Sequence, residues 1–303
     1  MKSFGRLFGE AIVGLKAIAH LAVPLVLLLF LLQAALPAFF SFLPAEIDAV
    51  LSFPVLLAGF VFFFVSPIVL LQALSLRDQG QQVEFREALG SGFGVLIPYG
   101  IAVFIAGLVR LGAFVPFIIP GIIVSVFLIF VEPAAAIEGR RGFDALARSW
   151  ALVKGSWRSI FGRLFLFWIF VVAVMLLMVL PVLLVTQGVA FWNIYQTSGE
   201  LGGIIDETAF LQQAQEQLTI PQLISSAWMS AIGIAVLFLS TAFDFVLFRN
   251  LVAMKGGVVD EKKGKLYGLF AWGIVAGVLV LALVVLAIAF IALKANDPGF
   301  LSG

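Results

Sequence analysis

The sequence predicts an all-α, polytopic integral membrane bundle of about seven transmembrane helices, a six-span core plus a C-terminal span, with an interfacial amphipathic helix. Three observations carry this reading. Of 303 residues, 63% are hydrophobic and 12% charged, with a mean hydropathy of +1.17, against roughly 45–50% and about 25% in a soluble domain. Apolar runs long enough to cross a bilayer recur along the whole chain. The Lys and Arg residues fall almost entirely in alternate connecting segments.

The N-terminal stretch 1–20 reads as an interfacial helix. Phe4, Phe8, Ile12, Leu15 and Ala19 form one stripe at helical spacing, with Lys2, Arg6, Glu10 and Lys16 elsewhere. Apolar runs follow at 21–40, 52–74, 93–111, 113–131, 164–185, 225–248 and 266–293. A helix needs about 20 such residues to cross ~30 Å of hydrocarbon. The runs do not alternate with period two, so helices rather than barrel strands must satisfy their backbone. Neither Gln33-Ala34-Ala35 nor Leu43-Pro44-Ala45 has a small-x-small cleavage pattern, so the first run is expected to remain as a span.

Orientation follows from the bases. With the N-terminus inside, the outer segments keep only Arg110 and Lys294 of the 18 Lys and Arg, while carrying Glu46, Asp48, Glu200, Asp206, Glu207 and Glu216. The expected location is the bacterial cytoplasmic (inner) membrane, multi-pass, N-terminus inside and C-terminus outside. The expected organisation is a six-span core over 1–255 and a basic loop plus added span over 256–303.

Two stretches leave alternatives open. Residues 93–131 read either as a hairpin of two short spans turning at Leu108–Gly112 or as a re-entrant pair interrupted at Pro116 and Pro120-Gly121. Arg110 lies at the outer surface in the first case and is buried in protein in the second. The stretch 188–224 reads as the one sizeable external loop, with Trp192 and Tyr195 at an aromatic belt. A helix within it over 205–218 would present Phe210, Leu211, Ala214 and Leu218, either as a lid or as a docking surface for a membrane or external protein partner.

The stretch 138–163 carries the most information. Phe143, Leu146, Trp150, Val153 and Trp157 recur at helical spacing, with Asp144/Arg148 and Lys154/Arg158 as i,i+4 pairs. Gly155 ends this helix and Ser156 starts the next. A helix over 143–157 is expected to lie on the inner surface, or else to connect two spans. In the first case Arg148, Trp150, Lys154, Trp157 and Arg158 would contact anionic lipid headgroups.

The segments PGIIVSVFLIFVEPAAAIEGRRGFDALARSWALVKGSWRSIFG (120–162), SPIVLLQALSLRDQGQQVEFREALGSGF (66–93) and FDFVLFRNLVAMKGG (243–257) together resemble a bacterial membrane family. It includes the membrane domains attached to some glycerophosphodiester phosphodiesterases and the YciC-type inner-membrane proteins. The shared features are Pro120-Gly121, Glu138-Gly139, Ala145-Leu146-x-Arg148-Ser149-Trp150, Lys154-Gly155, and Asp244 before Arg249. Here one extra residue separates Asp244 from Arg249. The resemblance implies six spans and no particular activity.

No catalytic, cofactor-binding or metal-ligating constellation is visible. The chain has no Cys and one His, His20, which excludes thiolate chemistry and most His-based catalysis. A net charge of +1 gives no general attraction to nucleic acid. Gly273-x-x-x-Gly277 matches a helix-packing motif. Glu132, Glu138, Asp244 and Arg249 are the candidate buried charge pairs, with Glu132 and Asp244 expected to clamp the 143–157 helix through Arg148, Arg158 or Arg163. The expected function is a non-enzymatic membrane protein that organises lipid or partner proteins. The alternative is a transporter or channel subunit whose pathway is broken at Pro116/Pro120-Gly121.

Overall fold

A computed structural model describes residues 2–81, 84–200, 207–255 and 263–295. The described residues are helical, with no strand among them, and seven helices are long and apolar enough to cross a membrane: Ala19–Phe40, Glu46–Asp78, Phe85–Phe114, Ile118–Ala136, Trp157–Val182, Leu223–Met254 and Leu266–Ile291. The chain is a multi-pass helical membrane protein, as its apolar runs require. The basic loop residues 256–262 and the tail 296–303 lie outside the described residues.

Helix α1 (Phe4–Ala17) forms where expected, but its buried face is Leu7 and Ala11, one position round from the anticipated stripe, with Phe4 and Phe8 half-buried beside it. The first span comprises α2 (Ala19–Phe30), a π turn at Leu31–Ala35 and α3 (Leu36–Phe40). Pro37 lacks the N–H that would continue α-helical bonding, and the helix widens just before it. Helix α4 (Ala45–Asp78) runs 34 residues. Helix α5 (Phe85–Phe114) is followed by α6 (Ile118–Phe127) and the short α7 (Val131–Ala136).

The fold resolves the 93–131 alternatives into a helical hairpin, with its turn at 115–117 rather than at 108–112. Pro116 sits in that turn, and Pro120 occupies the first turn of α6, where its missing N–H costs no intrahelical bond. The interruption expected at Pro116/Pro120-Gly121 is therefore a turn and a helix start. The break falls later, at Leu128–Phe130.

Helix α8 (Phe143–Val153) is enclosed by protein. Ala145 to Ser149 and Ala151 to Val153 are buried, and Trp150 is half-buried. The small residues Ala145, Ala147, Ser149 and Ala151 let neighbours approach the side that periodicity marks as polar. Gly142 (φ 45°) precedes the helix and Gly155 (φ 83°) follows it, both in conformations that favour glycine. The helix stops at Val153, so Trp157 belongs to the next element, α9 (Trp157–Glu200).

Helices α9 and α10 (Glu207–Met254) absorb most of the expected external loop 188–224, whose Gln, Glu, Ala and Leu residues are good helix formers. Only 201–206 of that loop lies outside the described backbone. The side chains of Tyr195, Phe210, Leu211, Ala214 and Leu218 are outside the described set, and Trp192 is 57% exposed. Helix α11 (Lys263–Ala295) closes the chain.

The structure divides into two compact units. Unit 1 is Met1–Glu10, Leu71–Gly162 and Phe243–Gly303; unit 2 is Ala11–Leu70 and Arg163–Ala242. In unit 1, α11 meets α5 backbone to backbone at Gly112, Gly273 and Gly277, so the glycine motif packs helices as expected. Phe130, Phe243, Phe270, Leu128 and Leu146 are fully buried in this unit. Within unit 2, Trp228 of α10 donates its indole N–H to the Met178 carbonyl of α9 at 2.9 Å. Beside them lies an open apolar groove lined by Phe170, Met175 and Val236 among others.

Candidate functional site

The break between α6 and α7 organises the polar residues of unit 1. Pro133 cannot donate to the carbonyl of Ile129, and the helix is interrupted just before it, at Leu128–Phe130. Backbone groups released by such a break need partners wherever water is scarce. Ser149 of α8, fully buried, supplies two: its hydroxyl donates to the Phe127 carbonyl at 2.7 Å and accepts from the Phe130 N–H at 3.0 Å. Arg110 of α5 supplies a third, its Nη2 donating to the Leu128 carbonyl at 2.7 Å. At the far end of α7, Gln72 donates to the Ala136 carbonyl at 3.4 Å and accepts from the Ser91 hydroxyl at 2.8 Å.

Four ionisable side chains converge beyond the break. Tyr99, 2% exposed and near the middle of α5, donates its hydroxyl to Glu132 Oε2 at 3.1 Å. Arg110 lies within electrostatic reach of Tyr99, and both Arg110 and Glu132 lie within reach of Asp244 on α10. Asp244 is set between the buried Phe243 and Phe245, while Asp244, Glu132 and Arg110 each keep partial exposure. Among the described residues the Asp244 carboxylate takes no hydrogen bond and no ion pair. Arg110 Nε is buried without a partner.

The other predicted site residues go elsewhere. Glu132 and Asp244 do not clamp α8. That role falls to Glu138, whose carboxylate takes three hydrogen bonds from Arg148 at 2.8–3.1 Å. Arg148 is only 4% exposed, so it faces this carboxylate rather than lipid. Trp150 stacks on Phe127 with ring centroids 4.2 Å apart and meets Phe270 edge-on, so it too is a packing residue. Lys154 and Arg158 are exposed, and the Arg158 guanidinium lies 5.8 Å from the ring of half-buried Trp157. Lys255 caps the end of α8 by donating to the carbonyls of Ala151 and Lys154, and burial lowers its ammonium below the ordinary lysine range.

Arg249, a candidate for a buried charge pair, is 39% exposed and bridges Asp78 at 2.6 Å and Glu10 at 2.9 Å. Glu10 also accepts from Lys2 at 2.6 Å. That hydrogen bond, with the charges of Lys2 and Arg249, holds the Glu10 carboxyl below its ordinary value despite opposing desolvation. Tyr99, Ser149, Asp78 and Glu10 were missed as site residues. For Ser149 and Tyr99 a usable signal existed: each is a polar group set in an apolar helix face, and Pro133 announces freed carbonyls nearby. No group of three or more His, Cys, Asp or Glu residues that could hold a metal occurs among the described residues.

Neither a curated protein nor a solved structure matches this chain. The likeness of 120–162 to the phosphodiesterase-associated and YciC-type proteins rests on the residue pattern alone. A family model does match, over residues 49–251. That range contains Tyr99, Arg110, Glu132, Ser149 and Asp244, and leaves α1 and α11 outside. The chain belongs to the family described as Domain of unknown function (DUF7847).

Proposed function

We propose that this protein is a non-enzymatic transporter or channel subunit of the bacterial cytoplasmic membrane, N-terminus inside, with its pathway at the α6–α7 break. The observation supporting this is a discontinuous helix that carries Glu132, hydrogen-bonded to Tyr99, and takes Arg110 on its freed Leu128 carbonyl. Ionisable groups inside membrane helices are costly and mark pathways or binding sites. Broken helices commonly hold the ion and solute sites of transporters. The test is purified protein in vesicles carrying an internal pH- or Na⁺-sensitive dye, driven by an imposed gradient. Protein-dependent flux that falls in Asp244→Asn and Glu132→Gln is expected. Flux equal to that of protein-free vesicles would overturn the reading.

A second reading, contact with anionic lipid at the inner surface, is favoured by the exposed Lys154 and Arg158 beside Trp157. Each base near such a surface contributes about 1 kcal/mol. Neutralising both should reduce the anionic lipid that co-purifies with the protein, and unchanged lipid content would remove this role.

A further inference from the structure

We propose that the open groove between α9 and α10 is a lipid site, holding one acyl chain of a phospholipid from the leaflet on the side of the α9–α10 connection. The groove belongs to unit 2, and it takes this ligand whether or not anything crosses at the α6–α7 break of unit 1.

Two stripes of side chains build the groove. On α10, Trp228, Ala231, Ala235 and Leu239 recur at helical spacing and so share one face. On α9, Phe170, Val171, Val174 and Met178 do the same and form the opposite side. The hollow comes from Ala231 and Ala235, whose methyl groups leave space between the large Trp228 and Leu239. Val171 and Ile232 are buried, while Phe170, Met178 and Trp228 are exposed, so the groove is closed below and open at its mouth. From Trp228 to Leu239 it follows α10 for about 16 Å.

Its place along the spans identifies the occupant. Trp228 lies five positions inside the start of the span Leu223–Met254, and Leu239 stands at that span's middle. Met178 lies four positions from the end of the span Trp157–Val182, and Phe170 stands at its middle. The groove therefore runs from near one end of each span to midway, about half of the ~30 Å of hydrocarbon, which is the share of one leaflet and of one acyl chain. A transmembrane helix from a second copy would cross the whole thickness. Past Leu239 that path is closed, because Thr241, Ala242 and Phe243 are buried. Water does not suit the site either, since an ordered water needs about two to four polar partners. The lining is apolar, and its one side-chain N–H, the Trp228 indole, is bonded to the Met178 carbonyl at 2.9 Å. An empty hollow would forfeit dispersion along its walls. A methylene chain fills it and touches protein on three sides, where a chain on a flat helix face touches protein on one. That added contact retains this lipid while its neighbours exchange.

The experiment uses the full chain in mild detergent, loaded with a phosphatidylcholine brominated on its acyl chains and then diluted into lipid-free detergent. Bromine quenches an indole that it touches, and the emission difference between wild type and Trp228→Phe isolates Trp228. Native mass spectrometry counts the phospholipid that stays bound. Wild type should keep one phospholipid per chain, with Trp228 still quenched after dilution. Ala235→Phe fills the groove and should keep one lipid fewer, with the quenching lost. Ala282→Phe makes the same change on the exposed face of α11, among Leu279, Leu283 and Leu286, and should leave both readings as in wild type. If Ala235→Phe does not fold, the persistence of Trp228 quenching in wild type decides alone. Quenching that vanishes on dilution overturns the proposal, because Trp228 then meets only exchanging lipid. Equal lipid retention by wild type and Ala235→Phe overturns it as well. A dimer that Ala235→Phe dissociates would assign the groove to a second copy and refute the lipid site.

Discussion

A methyl group placed at Gly112 tests the packing of unit 1 most directly. An added Cβ there would lie 2.0 Å from the Gly273 carbonyl oxygen and 2.9 Å from the Gly277 nitrogen, and one at Gly277 would lie 2.2 Å from the Leu108 carbonyl oxygen. These neighbours are backbone atoms, so no rotamer change relieves the clash. Non-bonded contacts are comfortable at about 3.5 Å or more, so α5 and α11 must separate by roughly 1.5 Å. A gap of 0.5–1 Å already forfeits about a quarter to a half of the dispersion along a seam, and overpacking costs about 1–3 kcal/mol. Gly112→Ala and Gly277→Ala should each fall at the upper end, about 2–3 kcal/mol. Gly273→Ala meets Val109 less tightly, its Cγ1 at 3.1 Å and its backbone Cα and oxygen at 3.3 and 3.4 Å, and should cost less than Gly112→Ala, about 1 kcal/mol. Gly268→Ala, with nothing within 4 Å, is the control and should be neutral or slightly stabilising. Thermal unfolding in a mild detergent, followed by tryptophan fluorescence, ranks the four variants. Equal midpoints for Gly112→Ala and Gly268→Ala would show that α11 does not rest on α5 through these glycines.

Three further outcomes follow from the same structure. Arg148→Met should destabilise by about 1–3 kcal/mol because it removes three hydrogen bonds from the Glu138 carboxylate, which keeps only Arg140 at 3.5 Å, and adding Glu138→Leu should recover part of the loss; additive losses in the double variant would contradict the clamp. Ser149→Ala leaves the Phe127 carbonyl and the Phe130 N–H without their partner and should cost about 1–3 kcal/mol, measured by the same unfolding assay, with Ser149→Ala at wild-type stability as the refuting result. Glu10 has a folded-state value below its ordinary 4.5, so its contribution is present above the unfolded carboxylate range and is lost as pH falls through the depressed value. Wild type should therefore lose thermal stability from about pH 5 downward more steeply than Glu10→Gln, and parallel pH profiles would show that Glu10 contributes nothing; the effect is small because the group is partly exposed.

The spans, the helical start and stop at 143 and near 155, and the glycine motif of α11 were all legible in the sequence. Each is a local property: an apolar run has the length to cross a bilayer whatever surrounds it, and Gly155 takes its positive φ from its own lack of a Cβ. Pairings were not local. Arg249 lies five positions from Asp244 in the chain, yet it finds Glu10 and Asp78, which are 239 and 171 positions away. Arg148 has Asp144 one turn back but takes Glu138, because burial makes the nearest correctly oriented carboxylate decisive. The stripe of α8 identified a helix with one apolar face without saying what would cover the other, since Ala145, Ser149 and Ala151 are small enough to be buried or exposed. Hydrophobic length and backbone chemistry thus determined that this chain is a helical membrane protein with seven apolar spans among its described residues. Tertiary packing alone decided where the helix breaks and which charges meet there, because a released carbonyl and a buried carboxylate are satisfied by whatever the fold brings within hydrogen-bond reach.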